Sequence, residues 1–293
     1  MGPIRNPIVP GYYADPEARI YQGRFWVYVT RSFTDYQKQR NLDAFSSSDM
    51  VTWEKSEGII DMADFPWAWR AVWAPTIVEK DGYYYLMFAT NDIQKDGEPG
   101  GLEIARSTSP GGPFRGYMGK PLIDRFVNRA QPIDAHLFKD DDGTVYLYYG
   151  GWGHCNVARM NQDMTGFLPF PDGEIFKEIT PGGYVEGPCV LKKDGLYYFM
   201  WSLGSWGDGS YRIAYGTSDN ALGPFPNKST ILASQEPIGT GPGHHGYLHV
   251  PETDEWFIVY HRRIVGNDDP GSRFLCIDRL EFRNGEILPV VMT

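Results

Sequence analysis

Five times along the chain the same order of apolar and polar positions returns. A small or polar residue opens a short apolar strand, a tight turn follows, and an aromatic strand runs back. A third strand comes after a gap and often ends on Ser-Asp or Gly-Pro-Phe. The first two strands of each copy read ADPEARIYQGRFWVYVT, WAPTIVEKDGYYYLMFATN, IDAHLFKDDDGTVYLYYGGW, EGPCVLKKDGLYYFMWS and HGYLHVPETDEWFIVYHRR. Short runs rich in Tyr, Phe, Trp, Val and Ile between Gly and Asp turns read as strands and hairpins, not helices.

The register of the copies follows from residue numbers. Corresponding positions are Asp15, Pro75, Asp134, Glu186 and His245, to within one residue. The hairpin turn recurs at a fixed offset: Trp73 to Gly82, Asp134 to Gly143 and Glu186 to Gly195 are each nine residues, and so is His245 to Asp254, which sits where the glycine would be. A period of roughly 50–60 residues in a turn-rich all-β chain predicts a propeller. The expected fold is therefore a five-bladed β-propeller, with four-stranded antiparallel blades around a central channel. A β-sandwich or jelly roll would not account for a five-fold repeat. No composition shift or linker divides residues 1–293, so one domain is expected. Paired tyrosines such as Tyr83, Tyr84 and Tyr85 or Tyr197 and Tyr198 suit packing between blades. The KDDDG stretch, Lys139 to Gly143, reads as a hairpin turn, because it lacks the spacing of a calcium loop.

Composition narrows the function. The 293 residues carry 27 Lys plus Arg against 37 Asp plus Glu, a formal charge of −10. That balance excludes the basic face that nucleic-acid binding needs and a polybasic membrane anchor. No apolar stretch is long enough to span a bilayer as a helix. Aromatic residues make up 15% of the chain, more than a core alone requires, which suits β-structure or a surface that stacks on sugar rings. Cys155, Cys189 and Cys276 form no metal or disulfide pattern and read as small buried hydrophobes. The N-terminus has no signal-peptide pattern. With the acidic charge, this points to the cytoplasm, secretion being the alternative if a leader has been removed.

The repeat gives the acids their meaning. Innermost strands of a propeller line the channel, so equivalent positions of different blades share one ring. That ring would receive Asp15, Asp134 and Glu186 from blades one, three and four, and a histidine from blade five. Paired carboxylates across a channel are the equipment of glycoside hydrolysis, one protonated and one ionised. A third carboxylate nearby raises the acid's pKa, since like charges disfavour ionisation. A structural metal cage is the other reading of such a cluster.

At these residues the chain resembles glycoside hydrolase family 43, the five-bladed propellers acting on arabinose- and xylose-containing glycans. The matching pieces are Ala14-Asp15-Pro16, Trp73-Ala74-Pro75, Pro132-Ile133-Asp134, Glu186-Gly187-Pro188 and Gly241-Pro242-Gly243-His244. The resemblance implies an inverting mechanism, with Asp15 as general base, Glu186 as general acid and Asp134 as the third carboxylate tuning Glu186. Inversion leaves room for a water, so the two carboxyls are expected roughly 6.5–9.5 Å apart. In blade five the repeat alone places His245 at the axis, whereas the family motif places His244 there, and the motif is preferred. The resemblance further implies a calcium ion near His244, mostly water-coordinated; the other reading of His244 is a hydrogen bond to Asp134 or to substrate. No organic cofactor is implied.

Phe33 and Trp73 are expected as pocket walls, Trp152 and Trp206 as loop platforms for the sugar beyond the scissile bond, and Arg273 as a contact to sugar hydroxyls. His136 and His154 have no evident catalytic partner. Long loops over 31–42 and 57–70 are placed to close one end of the pocket. The expected activity is release of terminal α-L-arabinofuranosyl residues from arabinan or arabinoxylan oligosaccharides. The same machinery serves an exo-β-1,4-xylosidase, an endo-arabinanase or a retaining relative. A carbohydrate-binding propeller without catalysis is the non-enzymatic alternative, disfavoured because the five axial positions differ.

Overall fold

The computed structural model describes residues 3–293. Blade 1 is β1 (Tyr13–Tyr21), β2 (Arg24–Arg31), β3 (Leu42–Ser47) and β4 (Glu54–Ser56). Blade 2 is β5 (Trp73–Lys80), β6 (Tyr83–Thr90), β7 (Gly101–Ser107) and β8 (Arg115–Gly116). Blade 3 is β9 (His136–Lys139), β10 (Val145–Tyr149) and β11 (Asn156–Met160), with its outer place shared by β12 (Phe167–Leu168) and β13 (Phe176–Glu178), which both pair with β11. Blade 4 is β14 (Glu186–Lys193), β15 (Leu196–Leu203), β16 (Arg212–Ser218) and β17 (Asn227–Leu232). Blade 5 is β18 (Thr240–Val250), β19 (Glu255–Arg263) and β20 (Phe274–Arg279), followed by a small hairpin, β21 (Phe282–Arg283) and β22 (Glu286–Ile287). Every ladder is antiparallel. The expected five-bladed propeller is the fold.

The ring closes through the first residues described. The Ile8 amide donates to the Leu275 carbonyl at 3.0 Å, and the Asn6 side chain bonds both the amide and the carbonyl of Ile277. This stretch stands in the fourth place of blade 5. At the other end, Val290 donates to the Ile231 carbonyl and ties the chain to β17 of blade 4.

Hairpin turns follow the chemistry of tight reversals. Gln22-Gly23, Asp81-Gly82 and Asp194-Gly195 each have φ near +50° then +70–81°, the pair of left-handed residues that matches strand twist. The KDDDG stretch is a turn as expected: Gly143 donates to the Asp140 carbonyl, and Asp140 accepts from Lys192.

Five hydrophobic clusters fill the five gaps between neighbouring blades. Adjacent strand residues face opposite sides of a sheet, so neighbouring tyrosines serve different gaps. Tyr84 enters the cluster between blades 1 and 2 and Tyr85 that between blades 2 and 3. Likewise Tyr197 faces blade 3 and Tyr198 faces blade 5. Burial of each such side chain contributes about 1.5–3 kcal/mol. All three cysteines are free and buried among these residues.

Candidate active site

Every blade carries the same kink in its innermost strand or, in blade 3, two residues before it. A residue with positive φ occurs at Asp15 (50°), Ala74 (48°), Asp134 (55°), Gly187 (65°) and His244 (30°). In blades 1, 2, 4 and 5 the pairing of the first two strands shifts register at this point. Such bulges re-aim side chains next to functional sites, and for a residue other than glycine the conformation is strained. The repeat read from sequence is thereby adjusted by one residue in three blades: Ala74 in place of Pro75, Gly187 in place of Glu186, and His244 in place of His245. Glu186 stands one position earlier. It pairs with Ser202, as Ala14 pairs with Thr30, Trp73 with Ala89 and Gly243 with His261.

At the kinks three carboxylates and a histidine meet. His244 Nδ1 lies 3.3 Å from Asp134 Oδ2 and 3.7 Å from Asp15 Oδ1. Asp134 Oδ2 accepts from the Gly187 amide at 3.1 Å. Arg273 Nη1 lies 3.2 Å from Asp15 Oδ1, and its Nε donates to Ser32 Oγ at 2.9 Å. The Asp15 amide donates to His261 Nδ1 at 3.2 Å. Tyr211 donates its hydroxyl to Glu186 Oε1 at 2.8 Å.

These contacts pull the two outer acids apart. Burial pushes Asp15 upward, but Arg273, His244, His261 and the Thr30 hydroxyl outweigh it and hold its pKa below the ordinary carboxylate value. Burial and then the Asp134 charge raise Glu186 to about 7, with Tyr211 and His244 opposing. Burial lowers His244, but Asp134, Asp15 and Glu186 more than reverse this, and its pKa rises to about 9. At neutral pH Asp15 is ionised, His244 is protonated and Glu186 is near its midpoint.

A pocket of about 230 Å³ opens over this ring. Asp15, Asp134, Glu186, His244, Trp73, Trp152, Trp206 and Arg273 all line it, so most residues singled out by sequence converge there. Phe33 does not: its ring is 42% exposed and stands off the pocket, and only its backbone carbonyl serves, accepting from Gln39. The loop over 31–42 instead contributes Tyr36, packed edge-on against Trp73 at 4.7 Å, and Gln39, which accepts from the Trp73 indole. Arg273 spans from Asp15 to the face of Trp206, 5.3 Å from its centroid. Trp152, 52% exposed, packs against Phe126 at the rim.

Sequence reading missed Asp92 and Gln131, which also line the pocket and hydrogen-bond each other at 2.9 Å. It missed Tyr211 and His261 as well. Asp92 and Gln131 lie in connections outside the repeated strands, where the repeat carries no signal. His245 is buried beside the ring, with burial pushing its pKa down to about 3.

Among the described residues no group of three or more His, Cys, Asp or Glu converges to ligate a metal directly. Calcium takes about six to eight oxygen ligands, so an ion near His244 would draw most of its shell from water. No step below runs through a metal.

A second polar layer lies two residues further along the same strands. Glu17 Oε2 accepts from Thr76 at 2.8 Å and lies 3.2 Å from His136 Nδ1. Its other oxygen pairs with Arg19, which also donates to the Leu137 carbonyl. Cys189 and Gly246 hold the matching positions of blades 4 and 5. A Cβ on Gly246 would meet the Ala18 amide nitrogen at 2.8 Å, so glycine there lets blade 5 close on blade 1.

A five-bladed ring that brings three carboxylates and a histidine into one small axial pocket has the architecture of a glycoside hydrolase. The particular family follows from comparison with known proteins: the chain belongs to glycosyl hydrolases family 43, whose family model matches residues 4–287. It is 42% identical to a β-D-galactofuranosidase of Aspergillus niger, over 98% of this chain and 85% of that protein. It is 27% identical to a β-xylosidase of Xylanibacter ruminicola, over 92% and 94% of the two chains. Among solved structures it is similar to a thermostable family-43 glycoside hydrolase, with a TM-score of 0.79 and 27% identity over 99% of this chain and 95% of that one. A β-xylosidase/α-arabinofuranosidase from a compost metagenome, described in complex with xylotriose and in a calcium-free form, gives a TM-score of 0.80 at 26% identity, over 98% and 97%.

Proposed function

We propose that the protein is an inverting, exo-acting hydrolase of terminal furanosides. Asp15 is the general base, Glu186 the general acid and Asp134 the carboxylate that keeps Glu186 protonated. The observation that carries this reading is the opposite displacement of two carboxyls facing one pocket: Asp15 lowered, Glu186 raised to about 7. Divergent environments of this kind assign acid and base.

In the reaction Glu186 gives its proton to the glycosidic oxygen as the bond to the anomeric carbon breaks. A water on the opposite face attacks that carbon and loses its proton to Asp15. Arg273 and protonated His244 keep Asp15 ionised and fix its orientation. Trp73, Tyr36 and Trp206 wall the sugar. The small pocket supports release of single terminal residues rather than cleavage within a chain.

The glycone favoured from sequence is α-L-arabinofuranosyl. The 42%-identical galactofuranosidase supports a second reading, β-D-galactofuranosyl. The two rings share configuration and differ by one exocyclic CHOH unit, so one arrangement of acids serves both.

The test is parallel hydrolysis of aryl α-L-arabinofuranoside, β-D-galactofuranoside and β-D-xylopyranoside, with proton NMR of the anomer first released. Furanoside turnover with inverted product supports the proposal, and the better furanoside names the glycone. Preference for the xyloside overturns the substrate. Retained configuration overturns Asp15 as base.

A further inference from the structure

Tyr211 stands immediately before β16 and is fully buried, yet its hydroxyl reaches the axis and donates to Glu186 Oε1 at 2.8 Å. Two features show that the fold is built around this reach. The ring stacks on His261 at 5.9 Å and 13°, and His261 in turn accepts the Asp15 amide. On the other side, a Cβ at Gly243 would stand 1.9 Å from Tyr211 Cε1 and 2.1 Å from Cδ1. No side chain fits there. Gly243 is the register equivalent of Glu186 in the next blade, so blade 5 gives up its own side chain to admit the tyrosine.

We infer that Tyr211 is the positioning residue of Glu186: it holds one carboxyl oxygen so that the other bears the proton and presents it to the glycosidic oxygen. This rests on the reading of Glu186 as general acid. The step balances simply. The proton leaves Glu186 Oε2 for the departing oxygen as the bond to the anomeric carbon breaks, and the charge left on the carboxylate falls partly on Oε1. The Tyr211 hydrogen bond is then a bond to a developing anion, which is stronger than one to a neutral acid. Its contribution grows along the reaction coordinate, which is what accelerates a step. Gly243 is required for steric reasons alone.

The test is Tyr211→Phe, which removes one oxygen and keeps the ring stacked on His261. It is assayed on aryl and alkyl glycosides of whichever sugar the panel above identifies, beside Glu186→Ala. Tyr211→Phe is expected to lower kcat on alkyl glycosides roughly 10-fold, part of the 10²–10⁴-fold that general acid catalysis supplies. Activity on nitrophenyl glycosides stays within about twofold, and KM is unchanged. Because Tyr211 lowers the pKa of Glu186, its loss also moves the alkaline limb of kcat to higher pH. Carbon-13 NMR titration of Glu186, assigned with Glu186→Gln, reads the same upward shift without any turnover. Equal loss on both leaving groups, or no shift in the titration, overturns the inference. If Glu186→Ala itself shows no leaving-group dependence, the fault lies in the assignment of the acid.

Discussion

Two polar layers cross the axis of this propeller, two residues apart on the same strands, and they differ in how their charge is matched. In the lower layer Glu17 is met by Arg19, His136 and Thr76, and the layer closes on itself. In the upper layer three carboxylates face one histidine and one arginine, and the surplus negative charge lands on Glu186. Both layers are buried, so burial alone does not create a reactive acid. What matters is whether the last carboxyl finds a cation. The lower layer fastens blades together, and the upper one keeps a proton at a raised pKa beside an open pocket.

The comparison breaks first at Asp15. Asp15→Ala is expected to lower kcat about 10²–10⁴-fold on good and poor leaving groups alike, with a smaller loss of melting temperature than Glu17→Ala, because losing the Arg273 pair is offset by relief of repulsion among the three carboxylates. Near-normal turnover would show that another group activates water. Glu17→Ala is expected to do the reverse. Removing one partner of a buried pair costs about 3–5 kcal/mol, which lowers Tm by on the order of 10 °C for a chain of this size, while kcat of the folded protein changes far less. A larger effect of Glu17→Ala on kcat than on Tm would erase the distinction between the layers.

The pH dependence sharpens the same contrast. Glu17 and Asp15 have lowered pKa values in the fold. Their contribution to stability is therefore present above the ordinary carboxylate pKa and is lost as pH falls through the lowered values. Glu186 has the opposite sign: its folded pKa is raised from 4.5 to about 7, so the folded state holds a proton that the unfolded chain has already lost, and stability declines as pH rises from about 4.5 to about 7 and levels off above. Thermal melts should show that decline in the wild type, and Glu186→Gln should remove it while Glu17→Gln does not. Activity should fall as pH rises through about 7, as Glu186 loses its proton. The smallest expected effect is at the rim. Phe33→Ala should leave kcat/KM within about twofold, whereas Trp73→Ala should lower it at least 10-fold through loss of a pocket wall. Equal effects would place Phe33 on the substrate after all.

The repeat made the fold legible, because blade spacing, turn residues and paired tyrosines are all local signals. It also brought Asp15, Asp134 and Glu186 to one ring. It did not distinguish a kink residue from its neighbour, which is why Pro75, Glu186 and His245 were each assigned one place from the true repeat position. A bulge shifts register without altering composition, and only backbone φ reveals it. Tyr211, Asp92 and Gln131 were invisible for a different reason. Asp92 and Gln131 reach the pocket, and Tyr211 reaches Glu186, from connections rather than from the repeated strands, and their roles depend on neighbours far away in sequence. Phe33 failed because a loop aromatic shows its chemistry but not its direction, and here Tyr36 and Gln39 face inward instead.

The row of five kinks has a consequence for how such a protein changes over time. Each kink is a socket that aims one side chain at the axis, and the backbone holding it is the same whether the occupant is Asp15, Asp134 or His244. In blade 2 the socket holds only a methyl group, Ala74, with its amide bonded to Thr30. Asp and Asn are among the few side chains that tolerate this backbone conformation. A single codon there can add a carboxylate or an amide to the pocket without rebuilding a strand, so the chemistry of the centre can be revised one blade at a time while the ring around it stays fixed.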